Sequence, residues 1–313
     1  MRIIWLGLLL LSGSWLLLVP VFTPPHWAGF LLLAAGVILN TIALRGTSIS
    51  QIDRKYLFAA APLLISILVV PFPHSLGLIF LLSGLLVAIF GSFYRRVSWI
   101  GLGLLLTGLI LAVQSLFYPL YSVLASRHYS LSGLSTIVCW LLKATGLSAS
   151  WNQDMVFIQS SKEVLEFSIT AEKLGAFFWM NILSGAVIIL WLLVPQKRDR
   201  WLAFALLTSL IYLVLRCVGL ILIYLDWRQV YLFWNPWITI LSFAPLILFF
   251  LKFIPLKEDL NALRLAPLAL TRGHSVLIGS SFLFAFLLVG AWGFKDPGAV
   301  KDGRILIDEK HSD

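Results

Sequence analysis

The sequence predicts an all-α, polytopic integral membrane protein with about nine transmembrane helices and a small extracytoplasmic cap, built from a helix and a β-hairpin. Of its 313 residues, 60% are hydrophobic and only 12% are charged, whereas soluble domains contain roughly 25% charged residues. The apolar residues form blocks of about 18 or more, which is long enough to cross the hydrocarbon core of a bilayer. These two observations exclude an ordinary soluble fold.

Nine apolar blocks are candidate membrane spans. The first block is longer than the apolar core of a signal peptide and no cleavage site follows it, so we interpret it as a helix. The nine predicted spans are residues 3–22, 26–44, 56–72, 75–94, 97–117, 175–194, 201–225, 236–254 and 273–293.

Basic residues predict the orientation of these spans, because cytoplasmic loops are enriched in Lys and Arg. Successive loops lie on alternate sides of the membrane. On the side with few basic residues, the short loops contain one Lys or Arg, which is Arg228. We therefore predict a multi-pass plasma-membrane protein with a cytoplasmic amino terminus and an extracytoplasmic carboxyl terminus. The net charge of +9 then reflects topology, and no nucleic-acid partner is expected beside the lipid bilayer. Thirteen basic residues share one set of alternate loops: Arg2, Arg45, Arg54, Lys55, Arg95, Arg96, Lys197, Arg198, Arg200, Lys252, Lys257, Arg264 and Arg272.

A long extracytoplasmic connection, residues 118–174, is predicted between the fifth and sixth spans. Its apolar segment Leu131–Gly146 contains Ser, Thr, Cys and Lys, which predicts an interfacial or re-entrant helix that stops at Gly146. Met155–Ile158 and Val164–Ile169 have β character, and Ser160–Lys162 is a plausible turn between them. The predicted divisions are a five-helix membrane region 1–117, a cap 118–174, a membrane core 175–254, a loop and ninth span 255–293, and a tail 294–313.

Arg216 is the clearest ionisable residue inside a predicted span, where a central charge costs ~2.5–3.5 kcal/mol. It lies about 13 Å below the outer end of its span, and Tyr212 and Ser209 share its helix face. Asn181 lies about 12 Å below Lys173 on the preceding span. We therefore predict that Asn181 and Arg216 are level and that both line a polar pocket with Lys173 and Tyr212. The pocket should open outward, with Lys173 pointing towards Glu166 or Glu172.

A second interpretation of these two side chains is purely structural. Arg216 would be satisfied by carbonyl oxygens, and Asn181 would be a hydrogen bonder in helix packing. In this interpretation Arg216 is neutralised within the protein and side chains fill the pocket, and the pocket does not exist if Arg216 and Asn181 face lipid or different helix interfaces.

Five elements follow one another over residues 120–254. They are an apolar helix ending in Leu141–Leu147, a β segment at Met155–Ile169, the sequence Glu172-Lys-Leu-Gly opening a span, Leu215-Arg216 in the next span, and Trp234-Asn-Pro before the one after. In this order they resemble the core of the exosortase/archaeosortase family, which are multipass membrane cysteine transpeptidases that process carboxyl-terminal sorting signals.

The resemblance implies three catalytic positions, of which only Arg216 is retained. Lys173 stands where the family has its nucleophilic Cys, and Asn235 stands where it has its His. A transpeptidase needs a thiolate that leaves from a thioester, and a lysine amide would not turn over. Asparagine cannot shuttle a proton. We therefore expect a catalytically degenerate protein that handles the carboxyl-terminal segment of a sorted or exported protein.

Two other classes of function stay open. An active peptidase or transpeptidase would need other residues, such as Cys139 with His128, Cys217, or Lys173 as the base for Ser168 or Ser184. A transporter subunit or assembly scaffold is the third class, although the spans contain no acidic residue and no repeated half. No metal or cofactor is expected, because neither the two Cys residues nor His26, His74 and His311 have metal-ligand spacing.

Overall fold

A computed structural model of the protein describes residues 2–18, 26–45, 60–91, 98–126, 132–152, 155–159, 164–171, 173–194, 198–227, 230–233, 235–254 and 256. The helices are α1 (Ile4–Leu18), α2 (His26–Ala43), α3 (Ala60–Val69), α4 (Leu76–Gly91), α5 (Ser98–Ser126), α6 (Ser132–Ala144), α7 (Ala176–Leu193), α8 (Arg198–Trp227) and α9 (Pro236–Phe253). The strands are β1 (Ser148–Asn152), β2 (Met155–Gln159) and β3 (Val164–Ser168), and a 3₁₀ turn covers Val230–Phe233.

Helices dominate the described part of the chain, and five of them are long and apolar enough to cross a membrane. They are α2, α5, α7, α8 and α9. The predicted helical membrane protein is therefore confirmed. Shorter apolar helices, α1, α3 and α4, lie within the predicted spans 3–22, 56–72 and 75–94, and the predicted span 273–293 lies outside the described residues.

Two helices extend beyond their predicted ends. Helix α5 continues to Ser126 rather than stopping at residue 117, and α8 covers Arg198–Trp227 rather than 201–225. The prediction followed hydropathy, which ends where polar residues begin. A helix needs only compatible backbone geometry, and an acidic residue such as Asp199 in the first turn interacts favourably with the helix dipole.

Helix α1 occupies the centre of the packed helices. All of its residues except Leu6 and Leu10 are buried, as expected for a helix that is apolar on every side. It packs against α2, α5, α7 and α9, and the Trp5 ring lies 5.4 Å from the Phe250 ring of α9. One hydrophobic core therefore joins the first helix to the last described one.

Helices α4 and α5 approach each other through glycines. A Cβ on Gly84 would lie 2.5 Å from the Leu105 nitrogen, and a Cβ on Gly101 would lie 2.6 Å from the Ala88 nitrogen. A Cβ on Gly77 or Gly108 would also overlap the partner helix backbone. Small residues at such contacts allow the close backbone approach on which helix association in lipid depends.

His74 lies in the turn between α3 and α4. The sequence places it in a short loop, but packing buries it between the rings of Trp15 at 5.1 Å and Tyr118 at 4.9 Å. Burial lowers the pKa of His74 from 6.5 to about 3, because the charged imidazolium loses its hydration. The side chain is therefore neutral at physiological pH.

A three-stranded antiparallel sheet follows α6, in the order β1-β2-β3. The structure pairs β2 with β3, for example Ile158 with Leu165, while the predicted turn 160–162 lies outside the described residues. Strand β1 was not predicted, because Ser, Ala and Asn give it little β character. The Phe167 ring contacts that of Tyr224 at 5.1 Å, which seats the sheet on the carboxyl end of α8.

Helix α6 is amphipathic and ends as predicted. Val138, Cys139 and Leu142 are buried against the sheet and α8, whereas Trp140 is 70% exposed. Gly146 has a φ of 89°, a left-handed conformation that favours glycine and terminates helices.

Candidate functional site

Arg216 is buried in α8 with 5% of its surface exposed, and every hydrogen bond it makes within the described residues goes to a neutral oxygen. Its Nε donates to Ser242 Oγ at 2.7 Å. Its Nη1 donates to the carbonyl oxygens of Leu174 at 2.8 Å and Lys173 at 3.5 Å. The guanidinium carbon lies 4.9 Å from the centre of the Phe243 ring, within cation–π range.

The turn before α7 supplies these carbonyl oxygens. Gly175 has a φ of 69° and stands directly before the helix. The Leu174 N–H donates to the Thr170 carbonyl at 3.1 Å, and the Ala176 N–H donates to the Ala171 carbonyl at 2.9 Å. A Cβ on Gly175 would lie 2.9 Å from Arg216 Nη1. Glycine is therefore required here both by the backbone conformation and by the close approach of the guanidinium.

Helix α9 contributes Ser242, which accepts a hydrogen bond from Arg216. The Tyr212 hydroxyl donates to the Ser242 carbonyl, and the Ser242 hydroxyl donates to the Thr239 carbonyl at 2.8 Å. Tyr212 and Arg216 therefore converge on Ser242, as their shared helix face predicts. The sequence analysis missed Ser242, although a signal was present: Asn235, Thr239 and Ser242 follow at i, i+4 and i+7 in an apolar helix.

One part of the guanidinium remains available. Arg216 Nη2 is buried and has no hydrogen-bond partner in the described structure. An ionised group in a low-dielectric setting is costly unless it is paired. The carbonyl contacts match the structural interpretation of Arg216, but the spare Nη2 donors fit the ligand-binding one. Both interpretations therefore apply to different nitrogens of the same side chain.

Lys173 lies beside this group and points to a serine. Its Nζ donates to Ser168 Oγ at 2.6 Å, and both residues are partly exposed. The sequence analysis expected Lys173 to point towards Glu166 or Glu172. Within the described residues this hydrogen bond goes to the last residue of β3, five positions earlier in the chain, and the predicted direction towards a glutamate stays a prediction. Glu172 lies outside the described residues.

No hydrogen bond joins Asn181 to Arg216 within the described residues, and their predicted matching depth stays a prediction. The Asn181 carbonyl accepts hydrogen bonds from Gln114 Nε2 at 3.2 Å and from the Ser184 hydroxyl at 3.0 Å. This turn of α7 therefore contacts α5. The guanidinium is level with Gly175, six residues or ~9 Å along the helix from Asn181.

Gln114 extends this second polar cluster to α1, since its Nε2 also donates to Ser12 Oγ at 2.9 Å. All three side chains, Ser12, Gln114 and Asn181, are fully buried. Ser184 is engaged here, so it does not meet Lys173. These hydrogen bonds join α1, α5 and α7, but Asn181 takes part through its backbone carbonyl, and its side-chain Oδ1 and Nδ2 are buried with no hydrogen-bond partner in the described structure.

Asn235 has a capping role. Its Oδ1 accepts hydrogen bonds from the backbone N–H groups of Trp237 at 2.9 Å and Ile238 at 3.3 Å, directly before α9. Asparagine is among the preferred residues at this position. Its side-chain oxygen is therefore used by the helix terminus, and no hydrogen bond to Arg216 is found in the described structure.

The remaining candidates are less accessible. Cys139 and Cys217 are both buried and reduced, and His128, the proposed partner of Cys139, lies outside the described residues. Within the described ranges no group of three His, Cys, Asp or Glu side chains is placed to hold a metal. A cavity of about 390 Å³ lies on the sheet, lined by Lys143, Phe157 and Gln159 among others, and not at Arg216.

The structure thus places Tyr212, Lys173 and Ser168 around Arg216 and adds Ser242 and Gly175, and Asn181 makes no hydrogen bond to this group within the described residues. The arrangement can hold an anion at Nη2, beside a serine–lysine pair. No protein-family model, curated protein or solved structure matches this chain.

Proposed function

We propose that the protein is an exosortase-like membrane protein of nine spans that binds the carboxyl-terminal segment of a membrane-anchored or secreted protein. Binding takes place on the extracytoplasmic side of the plasma membrane, at Arg216. The protein is degenerate with respect to the cysteine–histidine chemistry of that family. The orientation rests on the basic residues of the alternate loops.

The spare donors of Arg216 carry this proposal. A guanidinium that is held in place through Nε and Nη1 and still has Nη2 donors is pre-organised for a planar anion. A carboxylate suits Nη2 best, because charge-assisted hydrogen bonds are stronger than neutral ones. Gly175 leaves space for the guanidinium, since any side chain there would collide with it.

The two other family positions support degeneracy. Lys173 places an amine where the resemblance expects a thiol, and Asn235 uses its side chain to cap α9. Cys217 follows Arg216 directly but is buried with 1% exposure, and Cys139 has none. Buried thiols are usually inert. Ligand binding through Arg216 therefore requires neither cysteine.

A pair of matched peptides tests the proposal. The full chain is reconstituted in lipid nanodiscs and titrated with a short apolar peptide that ends in a free carboxylate, and with its carboxamide. A charged hydrogen bond contributes about 1.5–3 kcal/mol. We therefore expect the free acid to bind about 10–100-fold more tightly than the amide, and Arg216→Gln to remove this difference.

Cys217→Ala is the control, because it alters the neighbouring side chain without touching the guanidinium. It should preserve the discrimination between acid and amide. Equal affinities of the two peptides for the unaltered protein would overturn the proposal, as would full discrimination in Arg216→Gln.

A further inference from the structure

We propose that Ser168 and Lys173 form a nucleophile–base pair that transfers or hydrolyses acyl groups. This goes beyond the proposed function, which requires binding only. The observation is the 2.6 Å contact between Lys173 Nζ and Ser168 Oγ at the end of β3, with both side chains partly exposed. The distance lies at the short end of the range for a nucleophile and its base.

The surroundings fit this chemistry. A serine hydroxyl is a weak nucleophile until a neighbouring base accepts its proton, and a lysine can serve when its neutral form is favoured. Lys173 Nζ is already within hydrogen-bond distance of the Ser168 hydroxyl, so the proton has a direct path between the two groups.

The reaction balances within these groups. Ser168 Oγ attacks the carbonyl carbon of a peptide or ester, and its proton passes to Lys173 Nζ. The carbon–nitrogen or carbon–oxygen bond of the substrate breaks, and the lysine ammonium returns the proton to the leaving amine or alcohol. Water then attacks the acyl-serine ester, gives a proton to Lys173, and releases the acid as Ser168 recovers its hydrogen.

The position of Arg216 beside Lys173 indicates which substrates Ser168 would cleave. This step rests on the proposed function. Lys173 contacts Arg216 through its carbonyl and Ser168 through its side chain, so one residue links the anion site to the nucleophile. A chain whose terminal carboxylate binds Nη2 would therefore place a carbonyl from near that terminus beside Ser168. We infer a substrate cleaved close to its free carboxyl terminus.

A fluorophosphonate probe tests the pair, because it captures activated serines whatever the substrate. The full chain in nanodiscs is treated with the probe, and the adduct is located by mass spectrometry. We expect an adduct on Ser168 that is absent in Ser168→Ala. Ser150→Ala, on the same sheet, should leave the labelling rate unchanged.

Lys173→Arg separates catalysis from structure. Arginine keeps the charge and a hydrogen-bond donor but cannot accept a proton at accessible pH. General-base assistance contributes about 10²–10⁴-fold, so this variant should label at least about 100-fold more slowly while it retains acid–amide discrimination. A Ser168 that stays unlabelled in the unaltered protein, or that labels equally in Lys173→Arg, would overturn the inference.

The two proposals fail separately. Discrimination between acid and amide without labelling of Ser168 would leave the binding function and remove the catalytic one. Labelling of Ser168 without discrimination between acid and amide would leave the catalytic proposal and remove the binding one.

Discussion

Gly175 meets two requirements at the residue scale, and substitutions can separate them. Its φ of 69° disfavours any side chain, and a Cβ would lie 2.9 Å from Arg216 Nη1. Gly146 has a φ of 89° but nothing within 4 Å of its Cβ position. Both Gly→Ala changes should cost about 1–2 kcal/mol for the left-handed backbone.

Gly175→Ala should in addition displace the guanidinium and weaken carboxylate binding about 10-fold or more, since a charged hydrogen bond contributes about 1.5–3 kcal/mol. Unfolding measurements and peptide titration on the two variants check this prediction. Equal effects of Gly175→Ala and Gly146→Ala on binding would contradict it.

His74 predicts a pH dependence of stability. Its pKa is lowered from 6.5 to about 3 in the folded protein, so the unfolded chain binds a proton that the folded one excludes. Stability is therefore complete above pH 6.5 and is lost as the pH falls from there towards 3, by at most about 1.4 kcal/mol per pH unit.

His74→Phe keeps a ring between Trp15 and Tyr118 but cannot be protonated, so its unfolding should lose this component of the acid sensitivity. Thermal unfolding in one detergent across this pH range measures the difference. Identical pH profiles for the two proteins would contradict the assignment.

At the scale of elements, the glycines between α4 and α5 set how close two helices come. Ala normally favours a helix over Gly by about 0.8–1 kcal/mol. At Gly84 the added Cβ would lie 2.5 Å from the Leu105 nitrogen, so overpacking, which costs typically 1–3 kcal/mol, should prevail.

Gly219 in α8 has nothing within 4 Å of its Cβ position and is the matched control. We expect Gly84→Ala to lower the thermal midpoint and Gly219→Ala to preserve or raise it. A midpoint raised by Gly84→Ala would show that the two helices separate easily.

The existence of the helices was predictable from hydropathy, whereas the site was predictable only in part. Arg216 stood out because a charge inside a span is rare, and Tyr212 followed from helical spacing. Ser168 lies five residues before Lys173 and was a candidate from the sequence alone. Ser242 reaches Arg216 through tertiary packing of α9, which local sequence does not encode.

At the scale of the whole molecule, the basic loops predict how the chain crosses the bilayer. Reporter fusions after Arg96 and Lys197 should be cytoplasmic, and fusions after Trp151 and Asp313 should be extracytoplasmic, because Lys and Arg are retained on the inner side. Activity of paired cytoplasmic and exported reporters measures each position. A cytoplasmic carboxyl terminus would mean that the number of spans is not nine.

The buried position of α1 has a consequence for biosynthesis. The ribosome makes α1 before α9, yet Trp5 of α1 packs against Phe250 of α9. The first helix must therefore stay in the membrane without its final neighbour until most of the polypeptide has been inserted. Its apolar surface is compatible with lipid during this interval. The hydroxyl of Ser12 gains its hydrogen bond from Gln114 only when α5 has been inserted. The packing of α1 is therefore completed only when α9 has been made.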